Sequence, residues 1–313
     1  MRSMIQHSAR RGCVRLAVAL GLCATAVLLP GSMSLAQAEQ DLWLRIEQQV
    51  RLDTLTPTAM AVDPYGRVYL CDRNNKLHLL SPDLRLVRSV GGFGWGKEQF
   101  RHPVGLCAAN GLDVFVCDYF NHRVERYDKD LNYIASLKGE DLEGEGSFIY
   151  PVSVDQSEQG DLFLLVRDPA QVIRFDSMGR PRLAFGGLEA GAGQLVDPIR
   201  LCLGDGKVYV LDIGTRSVRV FDMFGNYLGS LGEGELQEPQ CLGWIPPELL
   251  VVADAKRGLL WLKGELASPI PIVPQPKGKV REVAASRGEV YLLLEGQGAE
   301  LWRGRIRRLG AEE

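Results

Sequence analysis

Residues 102–128 read HPVGLCAANGLDVFVCDYFNHRVERYD. Apolar side chains alternate through PVGLC, DVFVCD and RVERYD, and the Asn-Gly and Asn-His pairs between them are turn signals. The stretch therefore predicts short strands and no helix. Histidine is scarce, four in 313 residues, so the stretch also asks whether His122 has a chemical role.

The same pattern recurs along the chain, and a fixed period decides the architecture before any single residue does. Copies begin TPTAMAVDPYGRVYLCD at Thr56, YPVSVDQSEQGDLFLLVRD at Tyr150, DPIRLCLGDGKVYVLD at Asp197 and EPQCLGWIPPELLVVAD at Glu238. Their prolines, Pro57, Pro103, Pro151, Pro198 and Pro239, stand 46, 48, 47 and 41 residues apart, and a sixth copy starts at Lys279 without one. Each copy supplies a strand a after the proline, a β-rich strand b, a polar loop, a strand c such as RSVRVFD, and a strand d such as NYLGSL. Units of this length with four strands are propeller blades. At the other end DLWLRIEQQV, residues 41–50, alternates like a strand and is expected to complete the last blade as its outer strand, leaving no unpaired edge at the join. The prediction is an all-β, six-bladed β-propeller of four-stranded blades, a single domain over 39–313.

The loop GGFGWGKEQFRHPVGL (91–106) followed by VFVCDYFNHRVERYD (114–128) resembles the NHL repeat, named for Asn-His-Leu and written here as Asn121-His122-Arg123. The likeness spans roughly residues 51–309 and implies a fold rather than an activity. Propellers of this type bind RNA through a basic face in tripartite-motif proteins. Similar six-bladed propellers include the peptide-amidating lyase, with zinc on channel histidines, strictosidine-synthase-like hydrolases, and lactonases with carboxylates at the channel mouth.

Composition narrows these roles. Arg2, Arg10, Arg11 and Arg15 precede the apolar run LAVALGLCATAVLLPG and a small-residue exit ending in AQA. That describes a secretory signal peptide over 1–38, cut near Ala38, and predicts export to the periplasm or beyond. Residues 1–38 hold four arginines and no acid, leaving 32 basic against 39 acidic side chains, a net of −7. Such a surface is a poor partner for phosphates, so no nucleic acid is expected. No later stretch is long and apolar enough to span a membrane, and a monomer is expected. Among Cys71, Cys107, Cys117, Cys202 and Cys241, Cys71 and Cys117 take equivalent positions in neighbouring copies, and Cys107 and Cys202 in non-neighbouring ones. Blades packed about 10 Å apart exceed disulfide reach, so free buried thiols are expected.

Aligned loops answer the opening question. His122 corresponds to Arg216 and Lys76, so it reads as a turn residue. Asp72, Asp118, Asp212 and Asp254 close strand b in successive copies and read as acceptors for the following turn. No cofactor is expected: the three histidines beyond residue 38, His78, His102 and His122, come from different strand types and do not converge as metal ligands do.

Two places remain for function. The second residue after each proline, Ala59, Gly105, Ser153, Arg200, Cys241 and by alignment Glu282, is expected to face the central channel. Ala61, Cys107, Asp155, Cys202, Gly243 and Ala284 follow two residues on. Arg200, Glu282 and Asp155 break an otherwise small, neutral lining, and either pair with one another or hold a polar ligand. Two carboxylates beside an arginine make a poor calcium cage. The second place is the rim formed by the b–c and d–a loops, with Arg73, Lys76, Phe93, Trp95, Lys97, Phe100, Arg101, Tyr119, Phe120 and Arg123. Phe93 and Phe100 are expected to tuck between blades and Trp95 to be exposed. Aromatic residues beside charge suit a partner surface. The function expected is a non-enzymatic scaffold of the cell envelope that binds a protein, peptide or glycan at this rim. The alternative is a channel-site enzyme of the lactonase or amidating-lyase class.

Overall fold

The structure, a computed structural model, describes residues 42–308; the signal peptide expected over 1–38 lies outside them. The sixth copy of the repeat supplies strands a to c of a five-stranded sheet, and each of the first five is one antiparallel four-stranded sheet, strands a to d in order. In blade 2 these are Pro103–Cys107, Asp113–Asp118, Arg123–Asp128 and Tyr133–Lys138. Strand a of the other blades is Pro57–Val62, Ile149–Gln156, Pro198–Gly204, Pro239–Ile245 and Lys279–Ser286.

Strand b is buried nearly throughout in every blade, for example Val68–Asp72, because a neighbouring blade covers each of its faces. This explains why VYLCD and VLLV-like runs lack the polar half of a simple alternation. The apolar core is correspondingly six wedges between adjacent blades. Blades 1 and 2 meet through Tyr69, Leu77, Phe100, Val116 and Tyr127. Blades 6 and 1 meet through Met60, Leu70, Tyr291, Leu293 and Leu301, which makes the ring continuous.

Closure follows the expected route. Leu42–Arg51 pairs antiparallel with Ala299–Arg308, the third strand of blade 6, over nearly its whole length. Leu44 is fully buried there beside Leu292 and Trp302. A fifth strand was not foreseen: Ile272–Val273 joins the outer edge of Leu42–Arg51 in parallel. It covers an edge that would otherwise offer unpaired backbone groups.

Strand a carries a feature that the repeat spacing did not disclose. The register with strand b slips by one between Pro57 and Ala59, Pro103 and Gly105, Pro151 and Ser153, Pro198 and Arg200, Pro239 and Cys241, and Val280 and Glu282. A bulge thus inserts one residue per blade: Thr58, Val104, Val152, Ile199, Gln240 and Arg281. Bulges re-aim side chains, and this one decides what lines the channel.

Candidate functional site: the channel and the aromatic rim

The central channel holds two cavities, of about 760 Å³ on the proline side and about 870 Å³ on the opposite side. All six bulge residues line the first. Ala61, Cys107, Asp155, Cys202, Gly243 and Ala284 line the second. Of the six positions expected to form the inner ring, Ser153, Arg200 and Glu282 reach a cavity. Ala59 and Cys241 instead belong to the wedges between blades, and a Cβ on Gly105 would meet Val152 O at 2.7 Å. The bulge, by consuming one residue, turns the residue after the proline toward the axis in place of the next.

Arg200 and Glu282 line both cavities and form the wall between them. Arg200, on blade 4, ion-pairs through Nη2 with the Glu282 carboxylate on blade 6 and donates from Nη1 to Val104 O on blade 2, 3.4 Å away. Its side chain therefore bars the channel, tied to alternate blades. Burial pushes the Glu282 carboxyl up to about 7, although Arg200 pulls it down. Asp155 does not join this pair. It accepts from Leu203 N at 2.9 Å, Gln156 N at 2.8 Å and the Cys107 thiol at 3.4 Å, and burial raises its carboxyl above the usual range.

The proline-side cavity has two unlike halves. Val104, Val152 and Ile199 from blades 2 to 4 form an apolar wall, and Arg167 of blade 3, paired with Asp197 at 2.6 Å, lines the same cavity. Facing the wall are Gln240, Arg281 and Glu295 from blades 5 and 6, with Arg73 from blade 1. Arg281 pairs with Glu295 and donates to Gln240 Oε1 at 2.5 Å, while Arg73 reaches Glu295 at 3.3 Å.

Tyr119 and His102 belong both to this mouth and to an aromatic cluster on the rim. Trp95 is 65% exposed, Phe93 62% and Phe120 44%. The Arg101 guanidinium lies 5.6 Å from both the Trp95 and Phe120 rings, and Trp95 packs edge-on against Phe93 at 5.7 Å. Tyr119 lies 4.9 Å from both Phe120 and Tyr150. Phe100 is fully buried as expected, but Phe93 is not. The loop from Gly92 to Phe100 folds on itself, Phe100 N donating to Gly92 O at 2.8 Å, which sends Phe100 inward and Phe93 outward.

Arg123 requires a correction as well. It is not a rim group but is 6% exposed. Its Nε donates to Asp118 at 3.0 Å, and its Nη atoms donate to the carbonyls of Trp95, Gly96 and Gln99 at 3.1, 3.0 and 2.5 Å. Glu125 Oε1 lies 2.8 Å from Nη2. Arginine's forked donors suit three carbonyls and two carboxylates at once, so Arg123 holds the Trp95 loop from beneath. Arg73 is exposed and free to face a partner apart from its pair with Glu295.

His122 sits in the left-handed region at φ 52° and accepts from Tyr150 N through Nδ1 at 3.2 Å. Arg216 at φ 50° and Gly258 at φ 84° occupy the equivalent turn. In blade 1 that conformation falls on Asn75 at φ 59°, one residue earlier, so Lys76 matches Arg123 rather than His122. The Asp series anchors these turns: Asp212 accepts from Val196 N and Gly214 N at 2.7 and 2.9 Å, and Asp254 from Gln237 N and Lys256 N at 2.7 and 2.9 Å. All five described cysteines are free and buried.

Six blades around one channel make a six-bladed β-propeller, and its Asn121-His122 turn is similar to that of the NHL repeat. Residues 100–127 match the NHL repeat family model. The chain is 29% identical over 147 residues to Protein brain tumor of Drosophila melanogaster, which covers 45% of this chain and 13% of that protein. It is 25% identical over 187 residues to NHL repeat-containing protein 3 of Homo sapiens, covering 56% of this chain and 52% of that one. The chain thus spans about half or less of the length of these relatives. Among solved structures, virginiamycin B lyase from Staphylococcus aureus superposes with a TM-score of 0.59 at 11% identity, over 84% of this chain and 99% of the lyase. That likeness is one of fold.

Proposed function

We propose that the protein is a non-enzymatic scaffold whose loop rim binds a protein or peptide partner. One observation carries this reading: Trp95 and Phe120 flank the Arg101 guanidinium and Phe93 packs on Trp95, an exposed patch of three rings and one cation. Exposed aromatic and arginine groups gathered on a rigid base are the composition of interface hot spots. The base here is rigid because Arg123 ties the loop carbonyls to buried carboxylates. The acidic balance beyond residue 38 disfavours nucleic acid. Export, expected from residues 1–38, would present the rim in the cell envelope or outside the cell.

An enzyme of the channel class would draw on Glu282 and Asp155. Both line the far cavity, but each is already engaged within the protein, Glu282 by Arg200 and Asp155 by backbone amides, which favours the scaffold.

The test is selection of displayed random peptides on the immobilised protein, followed by Trp95→Ala/Phe120→Ala. Selected peptides should lose about tenfold or more in affinity on the double variant, the loss of one hot spot or more, at unchanged melting temperature. Equal binding to both proteins would remove the rim from the reading.

A further inference from the structure

We infer that the proline-side cavity is a binding site for a carboxylate with an apolar body, its anionic end taken by Arg200 and its body by the Val104, Val152 and Ile199 wall. This goes beyond the rim reading and does not depend on it.

The cavity, about 760 Å³, falls in the size range of small-molecule sites, which pair apolar walls with a few convergent polar groups. Its two halves differ in the way an amphipathic acid requires. Arg200 forms the floor, and its two described acceptors use two of the five guanidinium N–H groups. One of those acceptors, Glu282, is itself a carboxylate inside the cavity wall. An incoming carboxylate can replace it, since an arginine fork binds carboxylates of either origin. Glu282 can yield because its carboxyl, pushed up to about 7 by burial, takes a proton near neutral pH at little cost. Binding should therefore take up a proton and strengthen below pH 7.

Of the groups around Glu282, Asp155 lines the same far cavity and is also raised by burial, held by the Leu203 and Gln156 amides, so the Glu282→Gln variant assigns the titration. Arg200 and Arg281 are the two arginines that pull the Glu282 carboxyl down. The Cys241 thiol on strand a of blade 5 is pushed up to about 12, and Asp254 on strand b of that blade is held below the usual range by backbone amides. Lys263, on strand c of that blade, is exposed at its end. Strand a of blade 1 brings no charged side chain. On strand b of blade 6, Glu289 stands opposite Ser286 and Glu295 opposite Lys279. At the mouth, burial and the nearby Arg73 hold His102 below the ordinary histidine range.

A carboxylate can come from a free acid or from the C-terminus of a peptide lying on the rim. Calorimetric titrations at pH 6 and pH 8 with hexanoate, hexanamide, a peptide ending in leucine and the same peptide amidated separate these sources. At least one carboxylate probe should bind once per chain, about tenfold tighter at pH 6 than at pH 8 for a group of pKa near 7, and its amide should not bind. Trp95→Ala/Phe120→Ala should leave hexanoate binding intact, so a failure of the rim reading would not resemble a failure here. Arg200→Met should abolish binding. Should that variant not fold, Glu282→Gln decides, because it should bind at pH 8 as the parent does at pH 6. Binding of neither acid at pH 6, equal binding of the amides, survival of binding in Arg200→Met, or an unchanged pH 8 affinity in Glu282→Gln would each overturn the assignment.

Discussion

Arg200 and Glu282, 82 residues apart in sequence, meet across the axis of the ring and bar its channel. Both are largely withdrawn from water, at 16% and 8% side-chain exposure. Breaking such a pair leaves one charge without a partner. Arg200→Met is expected to destabilise the protein at pH 8 by about 3–5 kcal/mol, and by less at pH 6, where Glu282 takes a proton. Urea unfolding at the two pH values measures the difference.

Glu125 is the other buried glutamate with a raised carboxyl, pushed to about 7 by burial against the pull of Tyr127 and Arg123. The folded protein binds its proton more tightly than the unfolded chain does. The stability it and Glu282 contribute is thus complete below about pH 4.5, the ordinary glutamate range, and is lost as pH rises through 7. Melting temperature should fall from pH 5 to pH 8, and Glu125→Gln should flatten part of that slope. A steeper slope in the variant would contradict the assignment.

Arg123 acts on the rim from below. Arg123→Met should free the carbonyls of Trp95, Gly96 and Gln99 and leave Asp118 and Glu125 without their shared cation. The loss should be about 3–5 kcal/mol, with faster amide hydrogen exchange over residues 93–101. Arg123→Lys should not restore protection, because an ammonium cannot present the planar fork.

Leu44 tests the closure. It is fully buried where the N-terminal strand meets blade 6. Leu44→Ala should cost about 2–5 kcal/mol. Because each wedge is shared by two blades, denaturation should remain one transition at a lower midpoint, followed by fluorescence and far-ultraviolet circular dichroism together. Separate transitions by the two probes would show that blades unfold independently.

The number of blades, the order of their strands and the use of Leu42–Arg51 to close the ring were all legible in the chain. These depend on short-range alternation, on turn residues and on a repeat of similar length, all of which are local properties. The turn role of His122 was legible for the same reason, since an equivalent slot holds Arg216, although Lys76, aligned with it by residue count, lies one place further on. The short strand Ile272–Val273 was not, because two residues carry no period.

The destinations of the site side chains were another matter. Arg123, Phe93 and the six bulge residues look no different in sequence from exposed, buried or ordinary strand positions. A single slipped residue near the start of each strand a moves Gln240 and Arg281 to the axis and sends Ala59 and Cys241 into the wedges. The carboxylates that claim Arg123 lie close by in sequence, but the carbonyls it holds come from the preceding blade's loop. A linear chain determines which strands form and in what order; which face each side chain shows is settled only when neighbouring sheets compete for the same space and for the same hydrogen-bond donors.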